Sequence, residues 1–204
     1  MATIKLDEKK RNIFVSMGVI LNFIFLVTIF YVFGESRIHL FKINEFLDIY
    51  FKIDKLSILF SLLVAILWIF TTFYAMEYMK HEGKERKFYT FFLATLGVTI
   101  GIAFSGNLIT LYAFYEFLTL STFPLVIHTD SKEALKSGKK YLIYSFVGAT
   151  LVLLGMILLF SITNDTTFNA HGILPALTND NKNLYLLSYV SMFLGFGVKA
   201  ALVP

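Results

Sequence analysis

Long apolar stretches alternate with short polar segments along nearly the whole chain. A helix needs about 20 apolar residues to cross the roughly 30 Å hydrocarbon core of a bilayer. Six stretches approach or reach that length, at residues 13–33, 56–75, 88–105, 108–128, 141–162 and 184–204. The pattern predicts an all-α fold, a polytopic bundle of about six transmembrane helices. We expect residues 1–204 to form a single transmembrane domain. The last helix is predicted to be the start of a broken helix.

The composition agrees with a membrane protein and excludes several other classes. Of the 204 residues, 57% are hydrophobic and 16% are charged, which is too few charges to cover a soluble domain. The chain has no cysteine, so disulfides, cysteine-ligated metals and iron–sulfur clusters are excluded. It also has no phosphate-binding loop, zinc pattern or nucleophile–base motif. We therefore predict no cofactor, no metal and no catalytic residue, and a membrane enzyme with chemistry of its own has little support.

The basic residues are distributed unevenly between alternate loops, and this distribution orients the chain. If the N-terminus is cytoplasmic, the cytoplasmic segments contain twelve of the eighteen basic residues. These are Lys5, Lys9, Lys10, Arg11, Lys80, Lys84, Arg86, Lys87, Lys132, Lys136, Lys139 and Lys140. The outer loops contain Arg37, Lys42, Lys52, Lys55 and Lys182. The positive-inside rule therefore predicts a cytoplasmic N-terminus. The same uneven distribution accounts for the net charge of +4, so we predict no binding to nucleic acid.

Two charged residues lie inside apolar stretches, where a charge is costly. Glu116 lies near the middle of 108–128, and Lys199 lies fifteen residues into 184–204. A charge at the bilayer centre costs about 2.5–3.5 kcal/mol on insertion scales, so such residues often mark an ion path. Two plainer interpretations stand beside this one. A buried glutamate can simply join two helices, and a lysine near a helix end can extend its ammonium group to the lipid headgroups.

Helical spacing predicts the surroundings of these two charges. Tyr112 and Thr119 share a face with Glu116 and form a supporting polar face around it. Ser188 and Gly195 share a face with Lys199, as expected of a surface that packs against other helices. Pro204 follows Lys199 closely and predicts a helix break, since proline lacks the backbone donor that a continuing helix needs.

Small residues at helical spacing predict close packing elsewhere. One stripe comprises Gly97, Gly101 and Ser105, and another comprises Ser145, Gly148 and Gly155. Between the first two apolar stretches, residues 49–54 are compatible with an interfacial strand or a half-helix. Asp54 stands just before the second stretch, and we predict that it caps that helix.

Several segments together resemble the antiporter-like membrane subunits. The segment LYAFYEFLTLSTFPLVIH at 111–128 is similar to the glutamate helix of that family. The segment EALKSGKKYLIY at 133–144 resembles the loop and helix that follow it, and FGVKAALVP at 196–204 resembles its broken lysine helix. Upstream, IDKLS at 53–57 and YAMEYM at 74–79 are similar to the pattern around an earlier helix. The resemblance covers nearly everything after about residue 48.

This family includes the proton-pumping subunits of complex I and subunits of multisubunit sodium/proton antiporters and membrane-bound hydrogenases. The resemblance implies proton or cation/proton translocation without redox cofactors, in a prokaryotic cell membrane. It assigns the paired roles of glutamate and lysine to Glu116 and Lys199. It also implies the lipid bilayer and other membrane subunits as partners.

The family pattern is longer than this chain. Its members have about fourteen helices in two inverted repeats, with further buried charges on the later helices. We therefore expect these residues to be the N-terminal part of such a subunit, with the remaining helices in the same product or in a separate chain. The alternative is a non-conducting membrane scaffold or a truncated fragment of the transporter.

Overall fold

The fold is a bundle of helices with a β-hairpin at one end. The computed structural model describes residues 8–32, 35–42, 48–169, 172–173 and 181–202. The described helices are α1 (Glu8–Val32), α2 (Lys55–Glu82), α3 (Glu85–Ala103), α4 (Leu108–Val126), α5 (Lys132–Thr163) and α6 (Lys182–Lys199). The two strands are β1 (Ser36–Lys42) and β2 (Asp48–Ile53). The six predicted helices are confirmed, and the segment that the sequence left open between strand and half-helix is a strand.

Four helices, α1, α2, α4 and α5, are long and apolar enough to cross a membrane by length and composition. The helices also extend beyond the apolar stretches that predicted them. α5 begins at Lys132, nine residues before the predicted start at 141, and α2 ends at Glu82, seven residues after the predicted end at 75. Lys, Glu, Leu and Ala are good helix formers, so a helix continues past the point where hydrophobicity ends.

Each helix packs against the next one in the chain, and α1 also contacts α3. One apolar core lies among α1, α2 and α3 and includes Val19, Ala65 and Leu96. A second core lies among α4, α5 and α6 and includes Val152 and Tyr185. The bundle is therefore built from two groups of three helices that meet where α3 packs against α4.

The predicted small-residue stripes pack as expected at most positions. A Cβ atom built on Gly148 would lie 2.9 Å from the Gly195 carbonyl oxygen, and one built on Gly155 would lie 2.8 Å from the Ser188 carbonyl oxygen. The backbones of α5 and α6 therefore touch. On α3, Gly101 receives the ring of Phe114 from α4. Gly97 was predicted to pack in the same stripe, but no described atom lies within 4 Å of its Cβ position.

The hairpin fixes the end of the bundle at which α4 begins. β1 and β2 are antiparallel, with a register shift between His39 and Phe41. β2 continues into backbone hydrogen bonds with the segment before α4, because Lys52 N donates to Phe104 O and Gly106 N donates to Tyr50 O. Asp54 caps α2 as predicted: its carboxylate accepts from Ser57 N at 2.8 Å.

The opposite end of the bundle is held by an ion-pair cluster that joins the α4–α5 connection to the α2–α3 connection and the first turn of α3. Asp130 accepts hydrogen bonds from Lys84 and Lys87, each at 2.7 Å. These two bonds hold the pKa of the Asp130 carboxyl at about 2, well below its usual range. Beside this cluster, His128 Nε2 lies 3.0 Å from the carbonyl oxygen of Gly83. The connection between α2 and α3 is thereby tied to the connection between α4 and α5.

Asn107 joins α4 to the hairpin and gives a test of the local structure. Its side chain accepts from Thr110 N and donates to Asp48 O, both at 2.7 Å. We expect Asn107→Ala to lower the free energy of unfolding by about 1–2 kcal/mol, because a helix cap and a link to β2 are both lost. Thermal unfolding of the purified complex measures the change. Asn181→Ala is the matched control, because the Asn181 side chain makes no capping hydrogen bond to α6; an equal effect of both variants would contradict the assignment.

Candidate functional site

The bounds of α4 place Glu116 near the middle of the helix, where its side chain is partly buried. The helix is capped at Asn107 and has 19 residues, which corresponds to a length of about 28 Å. Glu116 is the ninth residue of the helix, so it lies near its midpoint. A helix of this length spans about the thickness of the hydrocarbon core. The backbone of the fold thus supports the depth that the sequence predicted for this carboxyl group.

Lys199 reaches this level of α4 from α6. Its ammonium nitrogen, Nζ, donates to the Tyr115 carbonyl oxygen and to Thr119 Oγ1, both at 2.7 Å. The same nitrogen lies 3.8 Å from the centre of the Tyr115 ring, a distance at which the ring face stabilises a cation. Two acceptors and one aromatic face therefore hold the charged end of Lys199 on the helical turn that contains Glu116.

Glu116 is beside this ammonium group but is not paired with it. No ion pair joins Glu116 to Lys199 in the described part of the chain, where five lysine or arginine side chains pair with other carboxylates. One carboxyl oxygen of Glu116, Oε1, is buried and has no hydrogen-bond partner among the described residues. The predicted pair is thus found as two neighbouring groups in which the lysine is satisfied by α4 and the glutamate has a free acceptor.

The supporting residues predicted from the sequence have different surroundings. Thr119 is 1% exposed and contacts Lys199 directly. Tyr112 is partly buried and packs against the apolar cluster that α4, α5 and α6 share. Pro204 lies outside the described residues, and α6 ends at Lys199. The Leu202 N–H donates to Gly197 O beyond that end, with Ala201 at a φ of 56°.

Tyr115 is the residue of this site that sequence reasoning missed. It offers its carbonyl oxygen and its ring to Lys199, and its hydroxyl donates to Gly195 O at 3.1 Å. Its ring also packs edge-to-face on Phe196. The signal available in the sequence was spacing, because Tyr115 precedes Thr119 by four residues and so shares its face.

Two further hydroxyl groups lie one turn along α4 from Thr119. Thr122 Oγ1 lies 2.6 Å from Leu118 O, a backbone acceptor, and 2.6 Å from the Tyr141 hydroxyl of α5. Hydroxyl-bearing side chains therefore follow one another from the Lys199 site toward the end of the bundle that is opposite the hairpin. Hydroxyl groups both donate and accept hydrogen bonds, so each of them can take part in a proton transfer.

The described residues contain no cluster of three or more histidine, aspartate or glutamate side chains that is suited to a metal ion. The arrangement instead combines one acidic group, one basic group and several hydroxyls inside an apolar bundle. These groups can exchange protons and can form and break an ion pair.

Two protein families match the chain. The family described as "NADH:quinone oxidoreductase/Mrp antiporter, TM" matches residues 105–204. The family described as "NADH-Ubiquinone oxidoreductase (complex I), chain 5 N-terminus" matches residues 41–92. The first match contains both Glu116 and Lys199.

Two curated relatives are a Staphylococcus protein and a Methanosarcina protein. The chain is 32% identical over 158 residues to Na(+)/H(+) antiporter subunit A1 of Staphylococcus haemolyticus, an alignment that covers 77% of this chain and 19% of that protein. It is 30% identical over 155 residues to F(420)H(2) dehydrogenase subunit N of Methanosarcina mazei, covering 75% of this chain and 31% of that protein. The chain thus matches between a fifth and a third of the length of these relatives.

Solved membrane complexes contain the same fold. A chain of the Mrp complex from Dietzia sp. superposes with a TM-score of 0.78 at 14% identity, over 94% of this chain and 21% of that chain. A chain of the archaeal membrane-bound sulfane sulfur reductase gives a TM-score of 0.72 at 20% identity, over 91% and 38%. Respiratory complex I from Thermus thermophilus gives 0.70 at 20% identity, over 96% and 40%.

The family matches, the relatives and the fold agree. The chain belongs to the family of antiporter-like membrane subunits found in complex I and in Mrp antiporters, and it is an integral membrane protein.

Proposed function

We propose that this chain translocates protons, or exchanges a cation for protons, as part of a membrane subunit in a larger complex, with Glu116 and Lys199 as the relay. The observation that carries the proposal is the position of Lys199 Nζ, which bonds to α4 on either side of Glu116, at Tyr115 O and Thr119 Oγ1. A charged amine at this depth has little reason to be there in a scaffold, since a buried charge costs free energy that an apolar residue would not.

In the proposed mechanism, Lys199 alternates between two positions. In one it pairs with Glu116, and the two opposite charges stabilise each other. In the other it is bound to Tyr115 and Thr119, as in the described structure, and Glu116 has a free acceptor. The ammonium group is then separated from its counter-charge, and it can transfer a proton to a neighbouring site. The hydroxyls of Thr122 and Tyr141 lie on a route to that site.

The proposed partners are the bilayer and the other membrane subunits of a complex. The relatives are named as subunits of an antiporter and of a dehydrogenase, and the solved neighbours belong to multisubunit membrane complexes. The helices that would complete a transmembrane path are proposed to lie outside these 204 residues. The prokaryotic cell membrane and the cytoplasmic N-terminus are proposed from the relatives and from the basic loops.

The test replaces Lys199 by a cation that holds its proton. Arginine keeps the positive charge but is effectively never deprotonated in proteins. If Lys199 must release a proton, Lys199→Arg should assemble with the complex and lower ion translocation at least tenfold. Dye-detected proton movement into membrane vesicles that contain the complete complex measures the rate, and blue-native electrophoresis measures assembly.

Lys182→Arg is the matched control, because Lys182 is an exposed lysine at the other end of the same helix. It should leave the rate unchanged. Full transport by Lys199→Arg would show that only the positive charge is needed. That outcome would reject the relay and favour the scaffold alternative.

A further inference from the structure

The first turns of α5 extend beyond the apolar part of the bundle. The helix has 32 residues and a length of about 48 Å, whereas the hydrocarbon core is about 30 Å thick and the whole bilayer about 40–45 Å. The apolar stretch starts at Tyr141, so the nine residues before it extend past the hydrocarbon. These residues, 132–140, are therefore at the depth of the lipid headgroups, on the side of the molecule opposite the hairpin.

Four lysines of this segment point away from the bundle. Lys132, Lys136, Lys139 and Lys140 are all exposed, and helical spacing places them within an arc of about 100°. None of them forms an ion pair or a side-chain hydrogen bond with the residues that the structure describes. Of the two acids nearby, Asp130 is bonded to Lys84 of the α2–α3 connection and to Lys87 of α3. Glu133 lies within the segment and leaves it with a net positive charge of three.

The same face of α5 continues as an apolar surface. Ile143, Val147, Leu154 and Ile157 follow the lysines along the arc and are 62%, 54%, 44% and 58% exposed. The opposite face carries Gly148 and Gly155, which pack against α6. Along one outward line, α5 therefore changes from four unpaired positive charges to bare apolar side chains.

We propose that this face of α5, from Lys132 to Ile157, is a binding surface for an anionic phospholipid of the surrounding bilayer. The lysines would bind the phosphate groups, and the apolar side chains would contact the acyl chains. Basic clusters next to a transmembrane segment attract anionic lipid, each lysine adding severalfold to the affinity. The helix and the lipid match in charge and in depth. A phospholipid changes from phosphate to hydrocarbon at the level where α5 changes from lysine to isoleucine.

The experiment measures which lipid occupies this face in the intact complex. The chain contains no cysteine, so Ile143→Cys gives this chain a single position for an environment-sensitive fluorophore. The labelled complex is reconstituted with spin-labelled phosphatidylglycerol or spin-labelled phosphatidylcholine, and quenching is compared. The same complex without the cysteine gives the background. We expect phosphatidylglycerol to compete at least fivefold better for this position, and we expect the preference to fall at high salt, since ions screen the attraction.

Three triple variants separate this surface from a general charge effect. Lys136→Gln, Lys139→Gln and Lys140→Gln together should abolish the preference, and the three corresponding arginine changes should retain it. Lys42→Gln, Lys55→Gln and Lys182→Gln together remove the same charge from exposed positions on the hairpin side and should leave it unchanged. If the glutamine triple variant does not insert, the salt titration of the native lysines still decides the question.

Two results would overturn the proposal. Equal quenching by the two lipids would show that the lysines do not select a headgroup. An absence of quenching by either lipid would show that other helices cover the face, and the lysines would then be protein contacts.

Discussion

Glu116→Gln is expected to reduce ion translocation by about a hundredfold or more in the complete complex. Glutamine has nearly the size of glutamate and still forms hydrogen bonds, but it carries no charge and takes up no proton. Lys199 would then have no buried counter-charge to pair with, and the relay would lose one of its two members. Positioned proton-transfer groups contribute about 10²–10⁴-fold to the rates of the steps they catalyse. Initial rates of proton uptake by vesicles, corrected for the amount of assembled complex, measure the effect.

The matched control is Glu77→Gln. Glu77 is also on a long apolar helix, but its side chain is 74% exposed and pairs with Lys80 at i,i+3 on the surface. Exposed pairs of this kind contribute little, so the control should transport at the normal rate. Normal transport by Glu116→Gln would contradict the proposed mechanism, and the buried carboxyl would then be a structural link between helices.

Gly195→Ala is expected to have the largest effect on stability. A Cβ atom at this position would lie 2.5 Å from Gly148 O and 2.8 Å from Val152 N. Both are backbone atoms of α5, so the added methyl group cannot be accommodated by a side-chain rotation, and the two helices must separate. Overpacking of this kind costs about 1–3 kcal/mol. The separation would also disturb the Tyr115 hydroxyl, which donates to Gly195 O next to the Lys199 site.

Thermal unfolding of the complex in detergent should therefore show a transition several degrees lower for Gly195→Ala. Gly97→Ala provides the control, since no described atom lies within 4 Å of that Cβ position. Alanine is favoured over glycine in helices by about 1 kcal/mol, so this variant should be neutral or slightly stabilising. A similar loss of stability in both variants would contradict the prediction. It would mean that the close contact between α5 and α6 is not the reason why alanine destabilises position 195.

The two predictions test separate properties of one region. Glu116 is tested through transport in an assembled complex, and Gly195 is tested through assembly itself. Gly195 lies one helical turn before Lys199, so loosening α6 from α5 should also weaken the position of the lysine on α4. We expect transport by Gly195→Ala to fall together with stability, whereas Glu116→Gln should lose transport at full stability.

Much of the fold is determined by the sequence alone. In a bilayer a chain must satisfy its own backbone hydrogen bonds, so a long apolar stretch has almost no alternative to a helix. That constraint is local, and it predicts the helices and the start of some of them, such as α4 at Leu108. It does not predict the start of α5, which lies nine residues before the apolar stretch. The stripe of small residues on α5 likewise gave the face that packs, because only small side chains let two backbones touch. Glu116 and Lys199 were identifiable because each is an exception to the surrounding apolar pattern.

The tertiary structure decided how these parts meet. Tyr112 and Tyr115 lie on the same helix beside Glu116, and the sequence favoured Tyr112. The path of α6 selects Tyr115, since Lys199 arrives from 84 positions further along the chain. The same long-range placement leaves Lys199 on Tyr115 and Thr119 instead of in an ion pair with Glu116. Local periodicity predicts which residues share one face of a helix. It does not predict how the neighbouring helix is rotated about its axis or how far it is shifted along it, and these two quantities determine which polar atoms form hydrogen bonds.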